Sequence, residues 1–240
     1  MKIKQNIPNF ITILNLTAGC FSIVSVFSNN FFAASIFIFA AAILDFLDGT
    51  FARLLNAKSE IGKQLDSLAD VISFGVAPGM IVYQLLNKSS FLIIPDNSAF
   101  QFLLIVAFLI PAFSAIRLAN FNLDLNQSDS FIGLPVPANA IFIASLPIIA
   151  DLTLFDFAWI SEVIFNTWFL IALCIISSYL LISKIPMFAL KFKNLKWSGN
   201  QLRFIFLFIC AALLVIFQFL AIPLIIILYI LFSVFGSLVK

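Results

Sequence analysis

Four aspartates stand inside an otherwise apolar stretch, in the pattern Asp45-x2-Asp48-Gly49-x2-Ala52-Arg53-x8-Gly62-x3-Asp66-x3-Asp70. Spacings of three and of four put each pair on one face of a helix. An aspartate left facing lipid at the bilayer centre costs about 2.5–3.5 kcal/mol, so four would cost on the order of 10 kcal/mol. The four must instead face one another across a wet cavity that holds cations. Mg²⁺ and Mn²⁺ are hard ions that prefer oxygen ligands. Two such ions can clamp a pyrophosphate, stabilising charge on the attacking and departing oxygens of an in-line displacement. Gly49 permits close approach of a ligand to the helix, and Ala52 keeps the same groove open. Arg53 offers a forked donor suited to phosphate. These parts suggest a pyrophosphate-bearing substrate. The alternative is a cation transporter lined by acids, against which the Gly, Ala and Arg at fixed offsets weigh.

Elements able to hold this cluster must come from a membrane protein. The chain is 63% hydrophobic and 10% charged over 240 residues, too apolar for a soluble domain of this size. The expected fold is all-α, a polytopic transmembrane helix bundle forming one integral-membrane catalytic domain over residues 1–240. The 31 phenylalanines suit lipid-facing surfaces, and a net charge of +2 gives no case for nucleic acid. The chain has no histidine, so any general base is a carboxylate or a less usual group, and a His-ligated zinc or haem site is excluded. Cys20, Cys174 and Cys210 lie singly in apolar runs and read as small buried hydrophobes.

Windows of about 20 apolar residues predict about eight spans, over approximately 9–28, 31–54, 63–87, 100–121, 136–151, 162–184, 202–219 and 221–239. The core helices occupy about 9–184, with additional C-terminal helices over about 202–239. The break at Ala221-Ile222-Pro223 is the weakest, and seven spans is the alternative. The first segment carries Asn9, Thr12, Asn15 and Thr17 and reads as a retained helix, not a cleaved signal.

The positive-inside rule gives one orientation. With the N-terminus cytoplasmic, Lys2, Lys4, Arg53, Lys58, Lys63, Arg117, Lys184, Lys191, Lys193, Lys196, Arg203 and Lys240 fall at cytoplasmic ends, and only Lys88 falls outside. Asp96, Asp151, Asp156 and Glu162 collect on the opposite side. The aspartate cluster is then cytoplasmic. The basic segment 184–203, with Trp197, reads as a topology determinant resting on anionic headgroups. Asp124 and Asp129 read as solvated loop charges.

The stretch 45–70 resembles, without departure, the signature of the CDP-alcohol phosphatidyltransferases. These integral membrane enzymes move a phosphatidyl-type group from a CDP-linked lipid to an alcohol and release CMP. The resemblance implies that Asp45 and Asp66 each bridge two metal ions, that Asp48 completes the first site, and that Asp70 completes the second. It also implies that Asp70 takes the proton from the acceptor hydroxyl, and that Gly49, Arg53 and Ser59 contact the CDP-lipid. Pro8, Asn9 and Thr12, in Pro8-Asn9-Phe10-Ile11-Thr12, resemble the segment that packs against the cytidine end. A homodimer, in a bacterial-type inner membrane, is a further implication.

Other segments are similar to the membrane-type phosphatidylserine synthases within that family. They are 7–16, 66–78 (Asp66-Ser67-Leu68-Ala69-Asp70 through Pro78), Arg117-Leu118-Ala119-Asn120-Phe121-Asn122, and 131–138. Asn120 stands where many relatives are expected to carry a basic residue. The likeness covers roughly 7–140 and implies CDP-diacylglycerol and L-serine as substrates, within membrane lipid. A serine acceptor needs a cation for its carboxylate, and Arg117 suits that purpose; Asn122 and Ser73 could orient the amino acid by hydrogen bonds. Glycerol 3-phosphate, inositol phosphate and choline are the alternative acceptors. Gly133, Pro135 and Pro137 read as shaping the start of a helix.

Overall fold

A computed structural model describes residues 2–57, 59–89, 102–123, 130–152, 158–188 and 200–238. Lys58, Asp96, Asp124, Asp129, Asp156, Lys191, Lys193, Lys196, Trp197 and Lys240, singled out above, lie outside the described residues. Helix α1 (Lys2–Phe27) turns back at Asn29 into α2 (Phe31–Leu54), whose first turn is capped by the Asn30 side chain accepting from the Ala33 amide at 3.0 Å. Ser59 caps α3 (Glu60–Asp70) in the same way, accepting from the Gly62 amide at 3.0 Å. A π-helical turn, Val71–Val76, joins α3 directly to α4 (Ala77–Asn87).

After a 3₁₀ segment, Phe102–Phe108, come α5 (Leu109–Leu123), strand β1 (Ser130–Ile132) and α6 (Val136–Asp151). The chain continues through α7 (Ala158–Ile164), α8 (Thr167–Ile182), β2 (Pro186–Phe188), α9 (Gln201–Phe217) and α10 (Ala221–Leu238). Five helical stretches among the described residues are long and apolar enough to cross a membrane: Asn6–Phe27, Phe31–Leu54, Glu60–Asn87, Phe102–Leu123 and Arg203–Val234. Val136–Asp151 and Thr167–Ile182 are shorter apolar helices. This is an integral membrane protein.

Large side chains cover its outside, among them Phe10, Phe27, Phe46, Phe208 and Val215. Hydroxyls on these helices return to the backbone one turn back: Thr17 donates to the Ile13 carbonyl, Ser25 to Phe21 and Thr50 to Phe46. Such bonds satisfy polar groups that lipid cannot. The shared core joins Ile38, Phe74, Ile81, Ile110, Ile143 and Leu170, all fully buried. Lys88, the lone exception to the charge asymmetry, sits over the Phe31 ring at 4.7 Å, a local cation–π contact.

Three expectations are revised. The predicted span 162–184 is two helices, because Asn166 stops α7 and caps α8, accepting from the Trp168 and Phe169 amides. The predicted span 63–87 contains the π turn. The all-α fold holds, with one small addition, a short antiparallel ladder that pairs Ser130 with Phe188 and Ile132 with Pro186. Gly133 makes that ladder possible: its φ is +73°, and a Cβ there would meet the Leu181 carbonyl oxygen at 2.5 Å. The weak break near Pro223 is real but falls earlier, at Gln218 (φ +49°). Helices α9 and α10 fold back on each other there, with the Phe206 ring 6.1 Å from Tyr229 and 5.9 Å from Phe232.

The site is positioned mainly by α1, which crosses the π turn closely. A Cβ on Gly19 would lie 2.5 Å from Ser73 Oγ and 2.7 Å from Ser73 Cα, so no side chain fits. One turn earlier on α1, the Asn15 carbonyl accepts from Ser73 Oγ at 2.9 Å. Ser22 Oγ donates to the Ala34 carbonyl at 2.8 Å and fastens α1 to α2.

Candidate active site and metal centre

The last turns of α2 carry Asp45 and Asp48, and α3 carries Asp66 and Asp70. Asp45, Asp48 and Asp66 each bring one carboxylate oxygen to within 4.8 Å of the other two. At that separation two unit charges repel by about 3.5 kcal/mol at an effective dielectric of 20. Three ionised carboxylates so close need a counter-charge. The buried Asp66 Oδ1 has no hydrogen-bond partner, which leaves a hard oxygen free to ligate. An all-carboxylate set with an unpartnered oxygen fits a hard divalent cation. The triad can therefore hold a metal ion.

Side chains from α1 brace these acids. Thr12 Oγ1 donates to Asp48 Oδ2 at 2.7 Å, and Asp48 is only 5% exposed. Asn15 Nδ2 donates to Asp70 Oδ1 at 3.4 Å, and Asp70 is 7% exposed. Asp70 lies outside the three-oxygen group, one helical turn beyond Asp66.

Beside the triad lies a cavity of about 480 Å³, walled by Pro8, Asn9, Thr12, Asp48, Gly49, Ala52, Ala57, Ser59, Glu60, Gly62, Lys63 and Asp66. Five of the six positions expected to meet the CDP-lipid thus converge: Pro8, Asn9, Thr12, Gly49 and Ser59. A Cβ on Gly49 would meet nothing within 4 Å, so the helix there is bare backbone beside open space. Gly62 packs against Asn9, whose Oδ1 would lie 2.9 Å from a Cβ at that position. Arg53 is not on the wall; it is exposed and donates to Thr50 Oγ1 at 3.4 Å.

The acceptor candidates are also off that wall. Asn122 is bound into a latch: Lys63 Nζ donates to its carbonyl at 3.0 Å, and its Nδ2 donates to Ser67 Oγ at 2.7 Å. Ser67 Oγ in turn donates to the Lys63 carbonyl at 3.2 Å, closing a ring that fastens the end of α5 to α3. Ser73 Oγ is committed to the Asn15 carbonyl. Arg117 is 8% exposed with its Nε unpartnered, and it lies within electrostatic range of Asp70 and Tyr229.

Sequence reasoning left Lys63 as an orientation marker and passed over Asn15. Both had a readable signal. Lys63, Asp66 and Asp70 follow at i, i+3 and i+7 on one helix face. Asn9, Thr12 and Asn15 recur every three residues in an apolar segment.

The fold and this acid-lined cavity define a class of membrane protein. The family description "CDP-alcohol phosphatidyltransferase" matches residues 5–168, and the chain belongs to that family. Among individual proteins, it is similar to the CDP-diacylglycerol–serine O-phosphatidyltransferase of Mycobacterium leprae, 36% identical over 190 residues, 76% of this chain and 58% of the relative. The Helicobacter pylori protein of the same name is 43% identical over 138 residues, 57% of this chain and 54% of the relative. The one from Mycobacterium bovis is 33% identical over 232 residues, 94% of this chain and 76% of the relative. Against the first two of these, the match spans little more than half the relative's length.

Proposed function

We propose that this protein transfers the phosphatidyl group of CDP-diacylglycerol to L-serine, giving phosphatidylserine and CMP. The observation that carries the reading is the cavity itself. Pro8, Asn9, Thr12, Gly49 and Ser59 line it together with Asp48 and Asp66, so a diphosphate seated there meets the carboxylates directly. The names of the relatives support serine as the acceptor.

In this reading Asp45, Asp48, Asp66 and Asp70 hold two Mg²⁺ or Mn²⁺ ions. When bound, these supply positive charge that offsets the charge of the diphosphate and of the departing CMP. Thr12 holds Asp48 in orientation, while Asn9 and Ser59 face the nucleotide end. Gly49 lets the diphosphate approach the α2 backbone. Arg53 contributes a phosphate contact after turning from Thr50. Asp70 accepts the proton of the serine hydroxyl, whose oxygen then bonds to the lipid-side phosphorus as the bond to CMP breaks. Arg117, with a free Nε, receives the serine carboxylate, and Ser73 and Asn122 hold the surrounding helices.

The chain acts as one catalytic domain and as a homodimer in a bacterial-type cytoplasmic membrane. The distribution of its basic residues supports a cytoplasmic N-terminus and active site. The test is an acceptor panel: purified protein, CDP-diacylglycerol and Mn²⁺ with serine, glycerol 3-phosphate, inositol phosphate or choline. Phosphatidylserine formed with stoichiometric CMP is expected. Product only with a phosphorylated acceptor or choline refutes the serine assignment, and no CMP with any acceptor returns the acids to a transport role.

A further inference from the structure

We propose that Asn15 is a specificity residue, its side-chain oxygen accepting a hydrogen bond from the amino group of the acceptor. The inference rests on the serine reading and deepens it. Asn15 is fully buried on α1, and its amide is used at one end only: Nδ2 reaches Asp70, while Oδ1 has no partner. A buried carbonyl oxygen without a donor is uncommon in a folded chain and invites a ligand.

Asn15 is also held firmly. Ser73 binds its backbone carbonyl, and the bare Gly19 one turn on presses α1 against the Ser73 backbone. The free oxygen shares a carbon with the nitrogen that meets Asp70, so it lies beside the proposed base. Serine carries its hydroxyl and its amino group on adjacent carbons. A serine presenting its hydroxyl to Asp70 therefore brings its ammonium near the unpartnered Asn15 oxygen. Arg117, with its own unpartnered Nε and within electrostatic range of Asp70, supplies the opposite kind of contact. A carboxylate and an amide oxygen side by side, with a guanidinium within electrostatic range, are the kinds of group that meet the hydroxyl, ammonium and carboxylate of a small amino acid.

The test compares serine with 3-hydroxypropionate, which keeps the hydroxyl and carboxylate and lacks the amino group. Each is assayed as a substrate, and 3-hydroxypropionate also as a competitor of serine, with CDP-diacylglycerol and Mn²⁺ in detergent micelles. Asn15→Leu is expected to shrink the preference for serine by about 10- to 100-fold, the worth of one hydrogen bond to a charged group. Asn15→Asp keeps an acceptor oxygen and is expected to retain the preference even where turnover falls. CDP binding checks that each variant is folded. A preference unchanged in a folded Asn15→Leu overturns the inference, because a merely structural asparagine would slow both acceptors alike. Should Asn15→Leu not bind CDP, a preference lost in Asn15→Asp overturns it instead. Absence of serine product from the unaltered chain sinks the acceptor assignment and this inference together. Serine product with the first outcome sinks this inference alone.

Discussion

Replacing Thr12 by valine removes one hydroxyl and keeps the shape of the side chain. That hydroxyl lies 2.7 Å from Asp48 Oδ2 and 3.1 Å from the Pro8 carbonyl, in a residue only 3% exposed. A buried hydrogen bond to a charged acceptor is worth about 1.5–3 kcal/mol. Groups that orient a metal-binding carboxylate typically change metal affinity by about 10–100-fold when removed. The two figures agree, since about 1.4 kcal/mol is tenfold. Thr12→Val is therefore expected to raise the Mn²⁺ concentration for half-maximal CMP release about 10–100-fold, with near-normal turnover at saturating metal. The assay is a Mn²⁺ titration of CMP release at fixed CDP-diacylglycerol, paired with calorimetry of Mn²⁺ binding. An unmoved metal titration together with a raised Michaelis constant for CDP-diacylglycerol would refute the reasoning. Thr12 would then be a nucleotide contact that merely rests on Asp48.

Asp70→Asn should abolish CMP release while CDP binding, followed by calorimetry, persists; retained turnover removes Asp70 from the base role. Asn122→Ala, which breaks the bond to Ser67, should lower the unfolding free energy by about 1 kcal/mol and leave the Michaelis constant for serine unmoved; a large rise there would make Asn122 a substrate contact after all. Gly133→Ala puts a Cβ 2.5 Å from the Leu181 carbonyl at a positive φ, and should destabilise the protein by about 1–3 kcal/mol, read as a lower Tm in detergent.

Much of the site was legible because its chemistry is written in charge and spacing. Asp45 with Asp48, and Asp66 with Asp70, could be placed on shared faces because helical period alone decides that. Membrane-grade hydropathy argued that the two faces meet, and Asp45, Asp48 and Asp66 do lie together, with Asp70 outside their group. The cavity wall was partly legible, since Gly49 and Gly62 belong to the same pattern and the family resemblance pointed to Ser59. The direction of Arg53 was not: on an exposed final turn, nothing in the sequence chooses between the cavity and Thr50.

Long-range bonds were also hidden. The Lys63–Asn122–Ser67 ring joins residues more than fifty positions apart, and each side chain reads locally as an ordinary polar end of a helix. The π turn after Asp70 leaves the apolar pattern of 63–87 intact, so hydropathy could not reveal it. Gln218 broke the last hydrophobic run where proline chemistry pointed instead to residue 223. A single residue in the left-handed region can end a helix without any proline.

Asp48 takes its hydrogen bond from α1 although it sits on α2, and it meets its fellow acid from α3. The acid triad therefore lies within the first seventy residues, but forms only once three separate segments have gathered. Before that, Asp66 and Asp70 have no partner on α3 itself, and burying an unpaired carboxylate is costly. The α1–α2 hairpin, fastened by Ser22 and Ala34, offers α3 a polar seam to slide against. In the finished fold the hairpin thus presents Thr12, Asn15, Asp45 and Asp48 as the polar surface on which Asp66 and Asp70 of α3 rest.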